Sequence, residues 1–190
     1  MKTDKKILKS LNKKPKTLFF WRGYILDWVI DIAIAGLIVY IITTFAFQNM
    51  YVAGNSMSPT FKNGETVLIN KLTYLIKTPE RHDIVTFRHL DPEKNEISIV
   101  KRIFGIPGDE IKIINGNLYI NNEMLDLPDI DPGNMHYPII VPKDSYFVLG
   151  DNCGESMDSR HKEIGLVSEN NIEGKIFMKV WPFWKMEFYR

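Results

Sequence analysis

Three short segments carry the side chains most suited to catalysis: GNSMSPTF at residues 54–61, VKRIFGIPGD at 100–109 and GDNCGESMDSR at 150–160. The first offers a serine hydroxyl, which is a poor nucleophile unless a base removes its proton during attack. The second offers Lys101 in a largely apolar stretch, where burial would disfavour the charged amine, lower its pKa and fit it to act as that base. Each segment alone is also typical of a surface turn, a solvated Lys-Arg edge or a surface ion pair, so none identifies a catalytic site by itself.

The remaining residue types point away from other chemistries. A Ser-His-Asp triad needs a histidine oriented by a buried acid, and all four histidines lie beside charged or loop residues. We therefore interpret them as surface or structural residues: His82, His89, His136 and His161. The single cysteine, Cys153, excludes an internal disulfide and a Cys-rich zinc site, and we interpret it as a bystander. No metal cluster, phosphate-binding loop or cofactor motif is evident, so we expect neither a metal nor a cofactor.

Charge is distributed unevenly along the chain. Residues 1–27 carry eight Lys or Arg and two acids, whereas residues 49–190 carry sixteen basic and twenty acidic groups. The net charge of the whole chain is only +1, which gives no reason to expect nucleic acid as a partner. We therefore predict a basic arm at residues 1–27 in front of a mildly acidic body.

An apolar segment follows this arm. Residues 28–47 form a stretch of twenty residues interrupted by Asp31, and a helix of that length spans roughly 30 Å, the thickness of a bilayer core. We predict one transmembrane signal anchor at residues 28–48. A cleavable signal peptide is the alternative, but its apolar core is usually shorter, and the exit FAFQNMYVAG has no clean small-x-small site. Asp31 is interpreted as a tolerated interfacial acid, with a partner-helix contact as the alternative.

The basic arm also predicts orientation. Lysine-rich flanks stay on the cytoplasmic side, so the chain would be a single-pass protein of the cell membrane with its N-terminus in the cytoplasm. Trp21, Tyr24 and Trp28 would then form the inner aromatic belt, and residues 49–190 would form an extracytoplasmic domain. The aromatic ending VWPFWKMEFYR is either a last strand packed inside this domain or a contact with the membrane interface.

Beyond the anchor the sequence favours short strands separated by turns. We predict an all-β domain, a partly closed antiparallel β-barrel or sandwich, preceded by the one transmembrane helix. Asn115-Gly116 is a strong hairpin signal, and four prolines in 126–143 indicate a long loop. The predicted strands are rich in Ile, Val, Phe and Tyr: Met50–Val52, Thr66–Asn70, Ile84–Phe87, Ile97–Gly105, Glu110–Ile114, Asn117–Ile120, Ser145–Leu149 and Lys175–Trp181.

In this order, and behind an anchor, the three segments closely resemble the bacterial type I signal peptidase family in its small single-span Gram-positive form. The resemblance runs from the anchor to the Trp-Pro near the end of the chain. It implies a serine endopeptidase in which Ser56 is the nucleophile, with Ser58 as the rival serine, and Lys101 is the general base. The adjacent Arg102 is expected on the opposite face of its strand, in solvent.

The same resemblance assigns the third segment to support of this Ser-Lys dyad. It implies that Ser156 hydrogen-bonds Lys101 and that Asp158 forms a salt bridge with Arg160. Asp151 matches a further acidic position of the segment. These residues would position the catalytic lysine without transferring a proton themselves.

Substrate binding is implied in the same way. The backbone N–H of Ser56 would stabilise the oxyanion, and Gly54 marks the position where some relatives add a second donor. Two shallow apolar pockets would select small residues at −1 and −3 of a signal peptide, which could add as a strand beside residues 98–100. Each lining residue is equally interpretable as ordinary core. They are Met50, Val52, Ala53, Met57, Phe61, Ser98, Ile99 and Val100.

The implied partners are therefore the signal peptides of secretory preproteins, membrane lipid and, by proximity, the export translocon. Two alternatives stay open. One is a serine–lysine peptidase dedicated to a narrow set of substrates. The other is a catalytically inert, membrane-anchored binding domain, which the presence of both Ser56 and Lys101 disfavours.

Overall fold

The computed structural model describes residues 17–127 and 130–189, so most of the basic arm predicted for residues 1–27 lies outside the described residues. The chain separates into two compact units, Met1–Thr44 and Phe45–Arg190. The first contains nearly all of one long helix, and the second contains the strands. Pro128, one of the four prolines of the predicted loop, also lies outside the described residues.

The long helix, α1, spans Thr17–Ala46. Its segment Leu26–Ala46 has a mean hydropathy of 2.3, and it is the one helix in the described part of the chain that is long and apolar enough to cross a membrane. Within this segment every side chain except that of Ala46 is exposed, as a helix that packs against lipid requires. The helix ends at Ala46, and the last two residues of the predicted anchor 28–48, Phe47 and Gln48, belong to the first strand.

The second unit is built from strands and a single helical turn, α2, at Thr73–Ile76. The strands are β1 Phe47–Tyr51, β2 Thr66–Asn70, β3 Ile84–Leu90, β4 Glu96–Gly105, β5 Glu110–Ile114, β6 Asn117–Ile120, β7 Glu123–Met124, β8 Ile139–Ile140, β9 Ser145–Leu149, β10 Val167–Ser168, β11 Ile172–Trp181 and β12 Glu187–Phe188.

These strands form two antiparallel sheets. The larger sheet has the order β1-β2-β11-β3-β4-β9-β10, with β12 beside β11, and the smaller has the order β7-β6-β5-β8. The prediction of an all-β antiparallel domain is confirmed, and within the described residues the sheets stay open rather than closing into a barrel.

The predicted hairpin at Asn115-Gly116 is confirmed. Both residues have positive φ, 52° and 78°, as a two-residue turn of this kind needs, and the register places Ile114 opposite Asn117. The predicted loop at 126–143 is broken by β8, which pairs with β5.

Three groups of buried apolar side chains hold the second unit together. One group lies under the smaller sheet around Ile111, Leu118 and Phe147. A second includes Val85 and Val148 of the larger sheet. The third joins β2, β3, β4 and β11 to the segment that carries the candidate nucleophile: Val52, Met57, Phe61, Val67, Ile69, Ile84, Val100 and Ile176. The candidate serine is therefore fixed by side chains on both sides of it in sequence.

Candidate active site

Ser56 lies in the turn between β1 and β2. The turn is closed by hydrogen bonds from Ser58 N to the Asn55 carbonyl, 3.0 Å, and from Phe61 N to the Met57 carbonyl, 2.8 Å. Met57 and Phe61 are completely buried and act as anchors below the turn, while Ser56 itself is only half-buried. The sequence alternation of polar and large apolar residues thus leaves one serine hydroxyl facing the open side.

Lys101 meets this hydroxyl from β4. Its Nζ lies 2.7 Å from Ser56 Oγ, and its side chain is only 2% exposed. Burial lowers the pKa of Lys101 from 10.5 to about 8, since the charged amine loses its hydration; the nearby Asp158 carboxylate opposes this shift and the Arg160 guanidinium adds to it. A lysine with such a pKa is neutral in a usable fraction of molecules near pH 7.

Asp158 and Arg160 form the ion pair that the resemblance implied. Two parallel bonds join them, Arg160 Nε to Asp158 Oδ1 at 2.8 Å and Arg160 Nη2 to Oδ2 at 2.9 Å, and both side chains are fully buried. Arg160 also donates to the Cys153 carbonyl at 2.7 Å. The Asp158 carboxylate accepts two backbone hydrogen bonds as well, from Gly150 N at 3.1 Å and from Arg160 N at 3.3 Å. The pair fixes the loop 150–160 against the strand that precedes it.

Ser156 does not make the expected hydrogen bond with Lys101. Its side chain is buried, yet its Oγ has no hydrogen-bond partner among the described residues. The residue does lie at the site, because a Cβ placed on Gly150 would approach both Ser156 Oγ and the Ser56 carbonyl oxygen to 2.3 Å. The expectation of a direct Ser156–Lys101 bond is therefore corrected to a neighbouring, unpaired hydroxyl.

Arg102 was predicted to be solvated, and this is wrong. It forms a bidentate ion pair with Asp151, at 2.8 and 2.7 Å, and its side chain is only 22% exposed. Asp151 in turn accepts a hydrogen bond of 2.5 Å from Thr60 Oγ1 in the nucleophile turn. Strand alternation predicted the change of face between Lys101 and Arg102, but not that Asp151, 49 residues later, would cover the second face.

Gly150 is a site residue that the sequence interpretation missed. It has no room for a side chain, and the next residues bind the nucleophile turn through Asn152, whose N–H donates to the Ser56 carbonyl at 3.0 Å. A glycine inside an otherwise polar, functional-looking segment could have been read as a point of close backbone approach.

The second oxyanion donor proposed at Gly54 is not available. Its N–H already donates to Asn63 Oδ1 at 3.0 Å, and its φ of 86° shows that the glycine serves the turn geometry. The backbone N–H of Ser56 makes no hydrogen bond to the described residues. It is therefore a free donor beside the nucleophile.

An apolar cleft of about 510 Å³ opens beside Ser56. On the side of β4 that faces away from β3, pairing with β9 covers residues 102–105, so residues 97–101 form no ladder there within the described residues. Phe61 does not line the cleft but lies in the core beneath it, whereas Tyr51 and Ile97 are lining residues that were not predicted. The cleft is lined by Met50, Tyr51, Val52, Ala53, Ser56, Met57, Ile97, Ser98, Ile99 and Val100.

The histidines and the cysteine lie outside the dyad. His82 and His136 are exposed and His89 is half-buried on β3, while His161 contacts the backbone N–H of Asp158 rather than Ser56. Cys153 is buried in the core, where desolvation raises the pKa of its thiol.

Comparison with known proteins identifies the family of this chain. A family model described as "Signal peptidase, peptidase S26" matches residues 25–181. The chain is 34% identical over 183 residues to "Signal peptidase IB" of Staphylococcus aureus, covering 84% of this chain and 91% of that protein. It is 38% identical over 146 residues to "Probable signal peptidase I-2" of Synechocystis, covering 74% and 66%.

A solved structure of a signal peptidase I from Enterococcus faecalis is 30% identical, covers 52% of this chain and 97% of that one, and gives a TM-score of 0.39. The family match extends over most of the described chain, from the apolar helix to the last long strand. The chain therefore belongs to the signal peptidase family, peptidase S26.

Proposed function

We propose that this chain is a membrane-anchored serine endopeptidase that cleaves signal peptides from exported precursor proteins. The observation that carries the proposal is the 2.7 Å contact between Lys101 Nζ and Ser56 Oγ at the end of an apolar cleft. A nucleophile within hydrogen-bonding distance of a buried base is the arrangement that acyl transfer needs.

The buried lysine supplies the proton acceptor. With a pKa of about 8, roughly one tenth of the Lys101 side chains are neutral at pH 7, about 300-fold more than at the ordinary value of 10.5. The neutral amine takes the Ser56 proton as Oγ attacks the scissile carbonyl, and the resulting ammonium gives a proton to the leaving amine. Water then hydrolyses the acyl-enzyme with Lys101 again acting as the base.

The developing oxyanion needs a donor that is free before substrate binds. The backbone N–H of Ser56 has this property, because no described residue accepts its hydrogen bond. Four further residues position the dyad without transferring a proton themselves: Ser156, Asp151, Asp158 and Arg160. Arg160 and Asp158 hold the 150–160 loop, and the buried Ser156 hydroxyl offers a donor or acceptor close to Gly150.

The cleft favours an extended peptide with small side chains. A precursor segment can pair with the free edge of β4 at residues 97–101 by adding as a strand. The lining side chains are mainly apolar, and we infer that they leave shallow recesses that accept alanine-sized residues at −1 and −3 and exclude bulky ones.

Placement on the membrane follows from α1. With the basic arm in the cytoplasm, the second unit lies on the extracytoplasmic side, where precursors leave the export translocon. The exposed aromatic side chains near the C-terminus support a further contact with lipid, since Trp181, Phe183 and Trp184 are 49–67% exposed and their rings cluster together. This favours the interfacial alternative for the aromatic ending.

A cleavage assay tests the proposal. The full chain in detergent micelles or vesicles is incubated with a precursor that carries an Ala-x-Ala site, and the product is identified by its new N-terminus. Ser56→Ala and Lys101→Ala should each abolish cleavage, while Ser58→Ala, in the same turn but without the lysine contact, should retain most of it. Normal processing by the Ser56 variant would refute the assignment of the nucleophile.

A further inference from the structure

The C-terminal end of the described chain packs against the turn that carries Ser56. Tyr189 follows β12, and its N–H donates to the Phe177 carbonyl of β11 at 2.8 Å. Unlike its neighbour Phe188, which is 72% exposed, Tyr189 is partly buried. Its ring packs edge-on against Phe61, with 4.8 Å between the two ring centroids. Phe61 is the buried anchor of the nucleophile turn, so Tyr189 contacts the side chain that supports Ser56.

A buried lysine joins the same two segments. Lys179 of β11 is only 7% exposed, and its Nζ lies 3.6 Å from Glu65 Oε2 and 3.5 Å from Glu187 Oε2. Glu65 is buried in the loop that follows the nucleophile turn, and it fixes that loop by accepting the N–H of Lys62 at 3.0 Å. Glu187 belongs to β12 and also accepts the Tyr189 hydroxyl at 2.8 Å. One ammonium is therefore shared between a carboxylate beside the turn and a carboxylate of the last strand.

Thr60 is the residue at which these side chains meet the nucleophile turn directly. Its carbonyl oxygen lies 3.4 Å from both Lys179 Nζ and the Tyr189 hydroxyl. Because the one proton of that hydroxyl lies on the shorter bond to Glu187, the ammonium is the donor to the carbonyl. Lys179 Nζ also lies 5.9 Å from the ring centroids of Phe61 and Tyr189, within the range of a cation–π interaction. Lys179, Glu187 and Tyr189 are here called the C-terminal cluster.

The nucleophile turn is thus held from two sides. On one side the hydroxyl of Thr60 donates to Asp151 at 2.5 Å. On the other side the carbonyl of Thr60 and the ring of Phe61 contact the C-terminal cluster. The 2.7 Å contact within the dyad leaves little room for movement, since a displacement of about 1 Å in a reacting group can reduce a rate about a hundredfold.

We propose that Lys179 and Tyr189 are positioning residues for the nucleophile, which hold the turn so that the Ser56 hydroxyl stays within reach of Lys101. They act through Thr60 and the ring beneath it, because neither forms a hydrogen bond with an atom of the dyad among the described residues. This role rests on the Ser-Lys dyad of the proposed function, and it adds two residues that lie far from the dyad in sequence.

The test is cleavage of a peptide substrate by the full chain in detergent micelles, with kcat and KM measured separately over a range of pH. Tyr189→Ala removes the ring that packs on Phe61, and Tyr189→Phe restores the ring without the hydroxyl. Phe188→Ala, at the exposed neighbour, is the matched control. Lys179→Met is the second variant, and Lys185→Met, at an exposed lysine of the same segment, is its control. Urea unfolding gives the folded fraction of each variant under the assay conditions.

Tyr189→Ala should lower kcat about tenfold or more per folded molecule and change KM by less than about threefold, because the edge of β4 at the cleft is intact. Tyr189→Phe should recover most of this loss, and Lys179→Met should lower kcat in the same way. The pH midpoint of kcat/KM should move in Tyr189→Ala from about 8 towards 10.5, since a displaced turn admits water to Lys101. Both controls should cleave like the wild type.

Two results would overturn the positioning role. One is a folded Tyr189→Ala variant with the kcat of the wild type. The other is a loss of activity that equals the loss of folded protein and leaves the pH midpoint unchanged, as a purely structural contribution would give. If Lys179→Met does not fold, the comparison of Tyr189→Ala with Tyr189→Phe decides alone. A wild-type chain that cleaves no substrate would refute the proposed function, and this role with it.

Discussion

Replacing Lys101 with methionine should abolish activity and, at neutral pH, raise stability. Methionine has nearly the length of lysine but no amine, so it fills the same buried space without a charge to desolvate. The Ser56 hydroxyl is half-buried and can turn to water when its partner is lost. The variant therefore removes the free-energy cost of burying a charged amine while it keeps the packing of the side chain.

The size of this gain in stability follows from the pKa of Lys101. Burial lowers it from 10.5 to about 8, and each pH unit of difference corresponds to about 1.4 kcal/mol, so protonated Lys101 destabilises the fold by about 3 kcal/mol. The folded state binds fewer protons than the unfolded state between these two values. Wild-type stability should therefore rise with pH through this window, and the advantage of Lys101→Met should shrink by the same amount.

The assay is urea unfolding of the full chain in detergent micelles, followed by tryptophan fluorescence at several pH values from 7 to 10.5. Lys143→Met, at an exposed lysine outside the site, is the matched control and should change stability by less than about 0.5 kcal/mol throughout. A Lys101→Met variant whose stability difference from wild type is independent of pH would refute the reasoning about the buried amine.

Two further substitutions test the supports of the dyad. Gly150→Ala should lower kcat/KM about a hundredfold in the cleavage assay, because its Cβ would come within 2.3 Å of the Ser56 carbonyl oxygen; Gly154→Ala, with no atom nearer than 3.9 Å, should cleave nearly normally. Equal rates for the two glycine variants would contradict this. Arg102→Gln breaks the bidentate pair with Asp151 and should reduce both kcat and the free energy of unfolding. We expect the free energy of unfolding to fall by about 1–2 kcal/mol. Unchanged values would show that the pair stabilises neither the site nor the fold.

Parts of the fold that rest on local patterns were predictable. A long apolar run specifies a helix wherever backbone amides have no water, and Asn115-Gly116 supplies the positive φ that a tight hairpin needs. The two-residue strands β7, β8, β10 and β12 were not predicted. They are too short to show an alternation of apolar and polar residues, and only their neighbours in space make them strands.

Some residues of the candidate site were likewise predictable from the local sequence, and others were not. The apolar neighbours of Lys101 indicated its burial, and the structure places it against Ser56. Arg102 could not be placed from its surroundings in sequence, since its partner Asp151 lies 49 residues further on. The contacts of the Ser156 hydroxyl depend on how the 150–160 loop folds, which the local sequence does not determine. The local sequence also could not show that the N–H of Gly54 is taken, because its acceptor, the side chain of Asn63, is nine residues further on.

The pH dependence of kcat/KM tests the central claim most directly, since it reports the ionisation of groups in the free enzyme. With a peptide substrate that has no group titrating between pH 6 and 10, kcat/KM should rise about tenfold per pH unit and level off above about 8, the pKa of Lys101. A plateau already reached near pH 6.5, where an ordinary histidine titrates, or a rate that does not depend on pH, would contradict a neutral lysine as the base.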